Sequence, residues 1–127
     1  PENQKDPSIF EFETQNKKDL DTRVVRSSQG TIKIPTLRMS LEPFGAADGF
    51  VSNIESVLLK FKKIIEGQRD SADEPATRKK AKNLLKKLWK IECGEEPVKI
   101  VIEDPTGNSA IIHERAIIKP LKVKKKK

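Results

Sequence analysis

The chain has 127 residues, a single cysteine and a formal net charge of +7. This length suits one domain, the lone Cys93 excludes an internal disulfide, and no apolar run approaches the roughly 20 residues that a membrane-spanning helix needs. We therefore expect a cytoplasmic protein that does not enter a membrane. The lysines at positions 119, 122 and 124–127 supply six of the seven net charges, so a basic tail at residues 119–127 is predicted rather than a basic domain.

The first 22 residues are polar and carry mixed charge, with few apolar side chains. Phe10 and Phe12 alternate with acidic residues, a pattern that predicts at most an edge strand. Residues 1–22 are therefore interpreted as an N-terminal segment outside the main domain, which is predicted to occupy residues 23–118.

The next segment predicts two or three short strands. Val24 and Val25 begin it, and apolar residues then alternate with polar ones in residues 31–34 and 37–41. The residues before the first alternating run have the composition of a turn, in which Gly30 can adopt a positive φ. After these strands, a run rich in glycine, alanine and proline predicts a loop.

A helical hairpin is predicted at about residues 52–92. Ser52 and Glu55 have the spacing of a capping box, and the apolar side chains that follow recur at helical spacing up to Gly67, which suits a C-terminal cap. Pro75 suits the first turn of a second helix. The predicted apolar stripe of that helix consists of Ala81, Leu84, Leu85, Leu88 and Trp89.

Three apolar runs follow the hairpin, at residues 98–102, 110–112 and 116–118, and each predicts a strand. The order of strands, helical hairpin and strands indicates a mainly β fold of the α+β class. Such an order is typical of a sandwich or barrel whose halves are joined by a helical insertion.

The sequence offers little material for catalysis. It contains one histidine, one cysteine and no tyrosine, in separate segments, whereas hydrolytic chemistry needs a nucleophile, a base and an oxyanion donor together. His113 is interpreted as a surface or capping residue at a strand end, and Cys93 as an incidental thiol. A metal-dependent jelly-roll enzyme would need a triad of histidines and carboxylates, and no C-x-x-C pair is present either. We expect no enzymatic activity, no metal site and no cofactor in this chain.

Residues 103–109 (EDPTGNS) form the most informative stretch. Asp104 can accept hydrogen bonds from the backbone N–H groups of Thr106 or Gly107 in an Asx turn, with Pro105 fixing φ. On physical grounds alone, the stretch is either an ordinary tight connection between strands or part of a binding site.

Lysines dominate the predicted exposed face of the second helix. They predict either a solvated face or a docking surface for an acidic partner or for the backbone of a nucleic acid. A nucleic-acid-associated protein is therefore the alternative function. The candidate polyanion-binding residues are Lys79, Lys82, Lys86 and Lys90 in the helix, with Lys124 and Lys125 in the tail.

Three stretches together resemble the ZPR zinc-finger family. Residues 103–109 resemble its E-D-P-x-G-N-S turn, and residues 25–35 (VRSSQGTIKIP) resemble its R-S-x-x-(G/A)-x-I-x-I-P segment. Residues 49–55 (GFVSNIE) are similar to its G-x-F-T-T-V-E-G entry into a helical hairpin. The three stretches occur in the family's order and cover roughly residues 23–118. Thr36 departs from the pattern, because the family commonly has an acidic residue after Ile-Pro.

The resemblance implies a double-stranded β-helix of the jelly-roll type with an inserted antiparallel helical hairpin. It also implies a protein-binding module that serves as an adaptor or folding chaperone for translation elongation factor 1-alpha. Its candidate contacts, on loops expected to be adjacent, are Arg26, Ser28, Asp104, Asn108 and Ser109.

The family's four-cysteine zinc finger has no counterpart in this sequence, which contains one cysteine. The chain is therefore interpreted as a fragment or as a protein that has lost its finger. Zinc is expected only on such a finger, and residues 1–22 would then be the end of the linker that follows it.

Overall fold

The computed structural model describes residues 6–42 and 49–121. Most of the predicted loop after the first strands, and the lysines at 122 and 124–127, lie outside these residues. The described residues form eight strands, two 3₁₀-helices and two α-helices, with these bounds: β1 Ser8–Glu13, η1 Lys17–Asp21, β2 Arg23–Arg26, β3 Thr31–Ile34, η2 Pro35–Leu37, β4 Met39–Leu41, β5 Phe50–Asn53, α1 Ile54–Ser71, α2 Pro75–Glu92, β6 Lys99–Asp104, β7 Ala110–Ile112 and β8 Ile117–Pro120.

The strands form two sheets that share one hydrophobic core. The larger sheet has the order β4-β3-β6-β1-β8 and the smaller has the order β5-β2-β7. Every strand pair in both sheets is antiparallel. The core contains Ile32, Ile100 and Ile102 from the larger sheet and Val24 and Ile111 from the smaller one, all buried. With the helical hairpin inserted between β5 and β6, this architecture confirms the predicted mainly β, α+β fold.

The structure corrects the interpretation of the N-terminal segment. β1 is an internal strand, paired with β6 on one side and β8 on the other, and Phe12 is buried in the core. The acidic residue between the two phenylalanines, Glu11, lies 3.3 Å from the ammonium group of Lys99 and 3.2 Å from that of Lys119. The ammonium groups of these two lysines, on the neighbouring strands, offset the charge of Glu11. A segment whose composition is too polar to predict a core strand is therefore part of the sheet.

The helical hairpin is present with two local corrections. Asn53, and not Ser52, caps α1, because the Asn53 side-chain oxygen accepts from the Ser56 backbone N–H at 2.9 Å while Ser52 belongs to β5. Gly67 does not end the helix, which continues for another turn to Ser71. The Ser71 hydroxyl instead donates to the Gly67 carbonyl at 2.8 Å.

The apolar stripe of α2 contains four of the five predicted residues, Ala81, Leu84, Leu85 and Leu88, and it extends to Ile91. Ala81, Leu88 and Ile91 are buried, whereas Trp89 is 57% exposed. The buried positions keep one helical face turned toward α1, where Phe61 and Ile65 are also buried. The prediction that Trp89 packs in the hairpin is therefore wrong.

The remaining strands differ from the prediction in three places. β5 lies where the sequence predicts only the end of a loop and the start of a helix, and it pairs with β2. Residues 35–37 form a 3₁₀-helix, and Arg38 adopts a left-handed conformation with φ of 55°, so β4 is shorter than the predicted strand at residues 37–41. At the other end of the chain, Lys119 and Pro120 belong to β8, so the predicted tail begins inside the sheet.

Candidate partner-binding site at the Asp104 turn

The connection between β6 and β7 is an Asx turn built by Asp104. Its Oδ1 atom accepts from the Thr106 backbone N–H at 2.7 Å and from the Thr106 hydroxyl at 2.6 Å. The Gly107 backbone N–H donates to the Asp104 carbonyl at 3.1 Å, and Gly107 has a φ of 73°, which glycine adopts without strain. The structure thus confirms the predicted turn conformation.

The other carboxylate oxygen of Asp104 ties this turn to a second one at residues 27–30. The Ser27 hydroxyl donates to Oδ2 at 2.6 Å and the Ser109 hydroxyl donates to it at 2.5 Å. The Ser109 oxygen in turn accepts from the Ser27 backbone N–H at 2.9 Å. We call this arrangement of Ser27, Asp104, Thr106 and Ser109 the Asp104 clamp.

The clamp stabilises the ionised form of a buried acid. Asp104 is 1% exposed, and burial alone would raise its pKa. The hydrogen bonds from Ser109, Ser27 and Thr106 outweigh that effect and lower the pKa of Asp104 to about 2. The carboxylate is therefore charged at neutral pH, with its charge satisfied inside the protein.

Arg26 and Gly30 close the second turn against the clamp. The Arg26 Nε–H donates to the Gly30 carbonyl at 2.9 Å, and burial lowers the pKa of the Arg26 guanidinium below its ordinary value. A Cβ atom on Gly30 would lie 2.6 Å from the Ser109 hydroxyl oxygen. Glycine is favoured here because a side chain would crowd Ser109 where the two turns meet.

The structure brings the five predicted contact residues together, but it exposes only two of their side chains. Arg26, Asp104 and Ser109 are 6%, 1% and 2% exposed, so these three side chains lie inside the protein. Ser28 is half-buried and Asn108 is exposed. The candidate contact set leaves out the hydroxyl groups of Ser27 and Thr106, although both residues lie within the motif stretches.

An open groove of about 450 Å³ runs beside the clamp. Residues 107–110 form one wall, and side chains of β1 and β8, including Phe10 and Ile118, form the other. Ile118 is 64% exposed. The exposed Asn108 therefore stands at the border of an apolar depression.

The structure describes four of the six lysines that are predicted to bind polyanions. Lys79, Lys82, Lys86 and Lys90 are all exposed along α2. No ion pair joins any of these four to another residue in the described ranges. Lys124 and Lys125 lie outside those ranges.

His113 follows β7 and supports a local turn. Its Nδ1 atom accepts from the Arg115 backbone N–H at 3.0 Å, and its ring lies 4.5 Å from that of Phe12, centroid to centroid. Among residues 6–42 and 49–121, no group of three or more His, Cys, Asp or Glu side chains could hold a metal ion. None of the helices in those ranges is long and apolar enough to cross a membrane.

The two antiparallel sheets with a helical hairpin inserted between their strands define a jelly-roll domain with a helical insertion. A family model described as the ZPR1 jelly-roll domain matches residues 18–127. The chain belongs to the ZPR1 family, which confirms the family and the jelly-roll fold indicated by the three motif stretches.

Relatives in archaea and eukaryotes are similar over most of the chain. An uncharacterised ZPR1-like protein of Pyrococcus horikoshii is 39% identical over 115 residues, 88% of this chain and 52% of that protein. A ZPR1-like protein of Methanocaldococcus jannaschii is 36% identical over 110 residues, 87% of this chain and 56% of that protein. The zinc finger chaperone zpr1 of Schizosaccharomyces pombe is 28% identical over 112 residues, 85% of this chain and 23% of that protein. The chain thus spans about half the length of the two archaeal relatives.

Proposed function

We propose that this chain is a protein-binding module of a ZPR1-type protein that serves as an adaptor or folding chaperone for translation elongation factor 1-alpha. Membership of the ZPR1 family supports this role, as does the name of the fission yeast relative, a zinc finger chaperone. The proposed role is cytoplasmic and non-enzymatic. Zinc would be held only by a finger that this sequence does not contain.

The Asp104 clamp is the observation that carries the proposal. It joins two turns that are distant in sequence and fixes them with hydrogen bonds to one buried carboxylate. Ser28 and Asn108 are the members of the predicted contact set whose side chains reach solvent from these turns. A surface that is rigid before binding loses little conformational entropy when a partner docks, which suits a recognition site better than a flexible loop would.

Binding of purified elongation factor 1-alpha tests the proposal. The factor is titrated against the chain alone and against the chain preceded by the zinc finger of a ZPR1 relative, with biolayer interferometry as the readout. We expect Ser28→Ala with Asn108→Ala to weaken binding about tenfold, since a hydrogen bond contributes about 0.5–1.5 kcal/mol net and a tenfold change corresponds to about 1.4 kcal/mol. Ser40→Ala with Asn83→Ala is the matched control, because it removes the same side-chain types from exposed positions elsewhere.

Two results would contradict different parts of the proposal. Failure of the factor to bind either protein form would overturn the assignment of the partner. Equal binding by the Ser28 and Asn108 double variant and by its control would retain the partner but overturn the site.

A second candidate function rests on the four exposed lysines of α2. Lys82, Lys86 and Lys90 recur every four residues along one side of the helix, with Lys79 one turn before Lys82. A row of unpaired cations binds phosphate backbones through counterion release, with an affinity that falls steeply as salt rises. The readout is fluorescence anisotropy of a labelled oligonucleotide over a salt titration.

The lysine variants separate this function from binding through the tail. Changing the four lysines to glutamine should reduce the salt dependence, whereas removal of residues 122–127 should leave the helix contribution in place. An affinity lost only with the tail would assign the binding to that segment. No binding at low salt would exclude the nucleic-acid function.

A further inference from the structure

Trp89 is the only tryptophan of the chain and lies on the outside of the helical hairpin. The side chain is 57% exposed. Its indole ring makes no hydrogen bond, aromatic contact or cation–π contact with the residues in the ranges 6–42 and 49–121. A ligand that covers such a ring gains free energy, because apolar surface then leaves water.

Lysines flank this ring on the exposed side of α2. Lys86 precedes Trp89 by three residues and Lys82 precedes it by seven. These separations are about one and about two turns of helix, so the three side chains lie on the same side. Lys79 and Lys90 extend the row of cations, which is about 16 Å long at the rise of an α-helix.

The positive charge of this surface belongs to described residues and is not neutralised by ion pairs among them. α2 carries seven cationic side chains and one carboxylate, Glu92. Glu92 follows Trp89 by three residues, but its carboxylate lies 3.9 Å from the ammonium group of Lys62 in α1. The acidic residues at 95 and 96 lie beyond the end of the helix. A polyanion is therefore favoured along the row from Trp89 toward the N-terminal end of α2.

The ring and the cations together call for a ligand that offers both planar groups and negative charge. Proteins that bind single-stranded nucleic acid combine a positively charged track for the backbone with aromatic side chains on which bases stack. In a duplex the bases are paired and stacked on one another, so an exposed indole ring reaches only the backbone. An acidic peptide would neutralise the lysines but leave the ring without a planar partner.

We propose that Trp89 is a stacking platform for a base of single-stranded nucleic acid, with Lys82 and Lys86 binding the adjacent phosphates. This inference rests on the second candidate function, in which the lysines of α2 bind a phosphate backbone. It adds the single-stranded character of the ligand and the residue that selects it. It does not depend on whether elongation factor 1-alpha binds.

The intrinsic fluorescence of the full chain tests the stacking directly, because Trp89 is the only tryptophan. The ligand is an oligothymidine of about ten nucleotides at low salt, and a base stacked on the indole ring should quench its emission. An oligomer of the same length without bases keeps the phosphates. It should leave the emission nearly unchanged and bind about tenfold more weakly, since it cannot stack.

Trp89→Ala and Leu59→Ala form a matched pair, because Leu59 is an exposed apolar residue of the other helix, with 46% of its surface in water. Binding of a labelled oligothymidine is measured by anisotropy. We expect Trp89→Ala to weaken it about tenfold and Leu59→Ala to change it less than about twofold. Binding of a duplex of the same length should change less than about twofold with either variant.

A salt titration separates stacking from phosphate binding. For single strands, the slope of log K against log salt concentration is about 0.7 for each phosphate contact. Lys82→Gln with Lys86→Gln should therefore reduce the slope by about 1.4. Trp89→Ala should weaken binding without changing the slope.

The possible failures point to different errors. Absence of binding by any oligonucleotide at low salt would overturn both this inference and the second candidate function. Equal binding of the single strand, the duplex and the oligomer without bases would retain phosphate binding by α2 and overturn the stacking role, as would equal losses from Trp89→Ala and Leu59→Ala. Poly-glutamate that binds as tightly as oligothymidine would identify an acidic polypeptide as the ligand and would also overturn it.

Discussion

The hydroxyl of Ser27 donates to the carboxylate of Asp104 at 2.6 Å, although 77 positions separate the two residues in the sequence. This bond joins the turn after β2 to the turn after β6, so the smaller and the larger sheet are connected through their loops as well as through the core. Two of the family's three motif stretches therefore meet at one buried acid. In this structure the two stretches fix the conformation of the turns, and the exposed residues beside them are what a partner can reach.

The clamp predicts a loss of stability in acid. The pKa of Asp104 is lowered from 3.8 to about 2 in the folded protein, so the folded state binds its proton less tightly than the unfolded state does. The contribution is complete above about pH 5, declines as pH falls from there toward 2, and amounts to roughly 2 kcal/mol from that pKa difference. Urea unfolding of the wild type and of Asp104→Asn at neutral pH and near pH 3 measures it.

We expect Asp104→Asn to be about 1–3 kcal/mol less stable at neutral pH, because the buried donors lose their charged acceptor. The difference between the two proteins should shrink in acid. Asp21→Asn, which changes an exposed carboxylate, should keep the acid sensitivity of the wild type. A constant difference between wild type and Asp104→Asn at both pH values would show that the clamp does not bind Asp104 as an anion.

Gly30 and Gly67 have different surroundings, so replacing each by alanine should have opposite effects on stability. Gly30→Ala places a Cβ atom 2.6 Å from the Ser109 hydroxyl oxygen, and we expect it to destabilise the protein by about 1–3 kcal/mol through overpacking. Gly67→Ala meets no atom within 4 Å and lies inside α1, so it should stabilise by roughly 0.5–1 kcal/mol through helix propensity.

A double-mutant cycle identifies the source of the Gly30 effect. Ser109→Ala removes the oxygen that the new Cβ would meet, so Gly30→Ala should cost less in that background than in the wild type. Thermal unfolding of the four proteins gives the coupling. Additive effects would place the strain elsewhere in the turn.

The sequence predicted features that depend on neighbours close in the chain and missed those that depend on distant ones. The Asx turn at Asp104 and the two amphipathic helices follow from local spacing, and both were predicted. The bond from Ser27 to Asp104 was not, because nothing local indicates which turn a buried carboxylate will meet. For the same reason β1 was predicted to be at most an edge strand. The cations that neutralise Glu11 come from β6 and β8, near the other end of the chain.

Substitutions at the start of α1 test whether Asn53 or Ser52 caps the helix. The Asn53 side chain accepts from the Ser56 backbone N–H at 2.9 Å, and replacing such a cap by alanine costs about 1 kcal/mol. We expect Asn53→Ala to lower the free energy of unfolding by about that amount and Ser52→Ala to lower it by less than about half as much. A larger effect from Ser52→Ala would restore the capping box indicated by the sequence.

Leu88 and Trp89 are neighbours near the end of α2, but they should respond differently to truncation. Leu88 is fully buried, whereas Trp89 is 57% exposed. Leu88→Ala removes buried methyl groups and leaves a cavity, so it should destabilise the protein by about 2–5 kcal/mol. Trp89→Ala removes a larger side chain but should cost less than about 1 kcal/mol, because most of its surface is already in water. Denaturant unfolding of both variants distinguishes the observed stripe from the predicted one, in which Trp89→Ala would be the more damaging change.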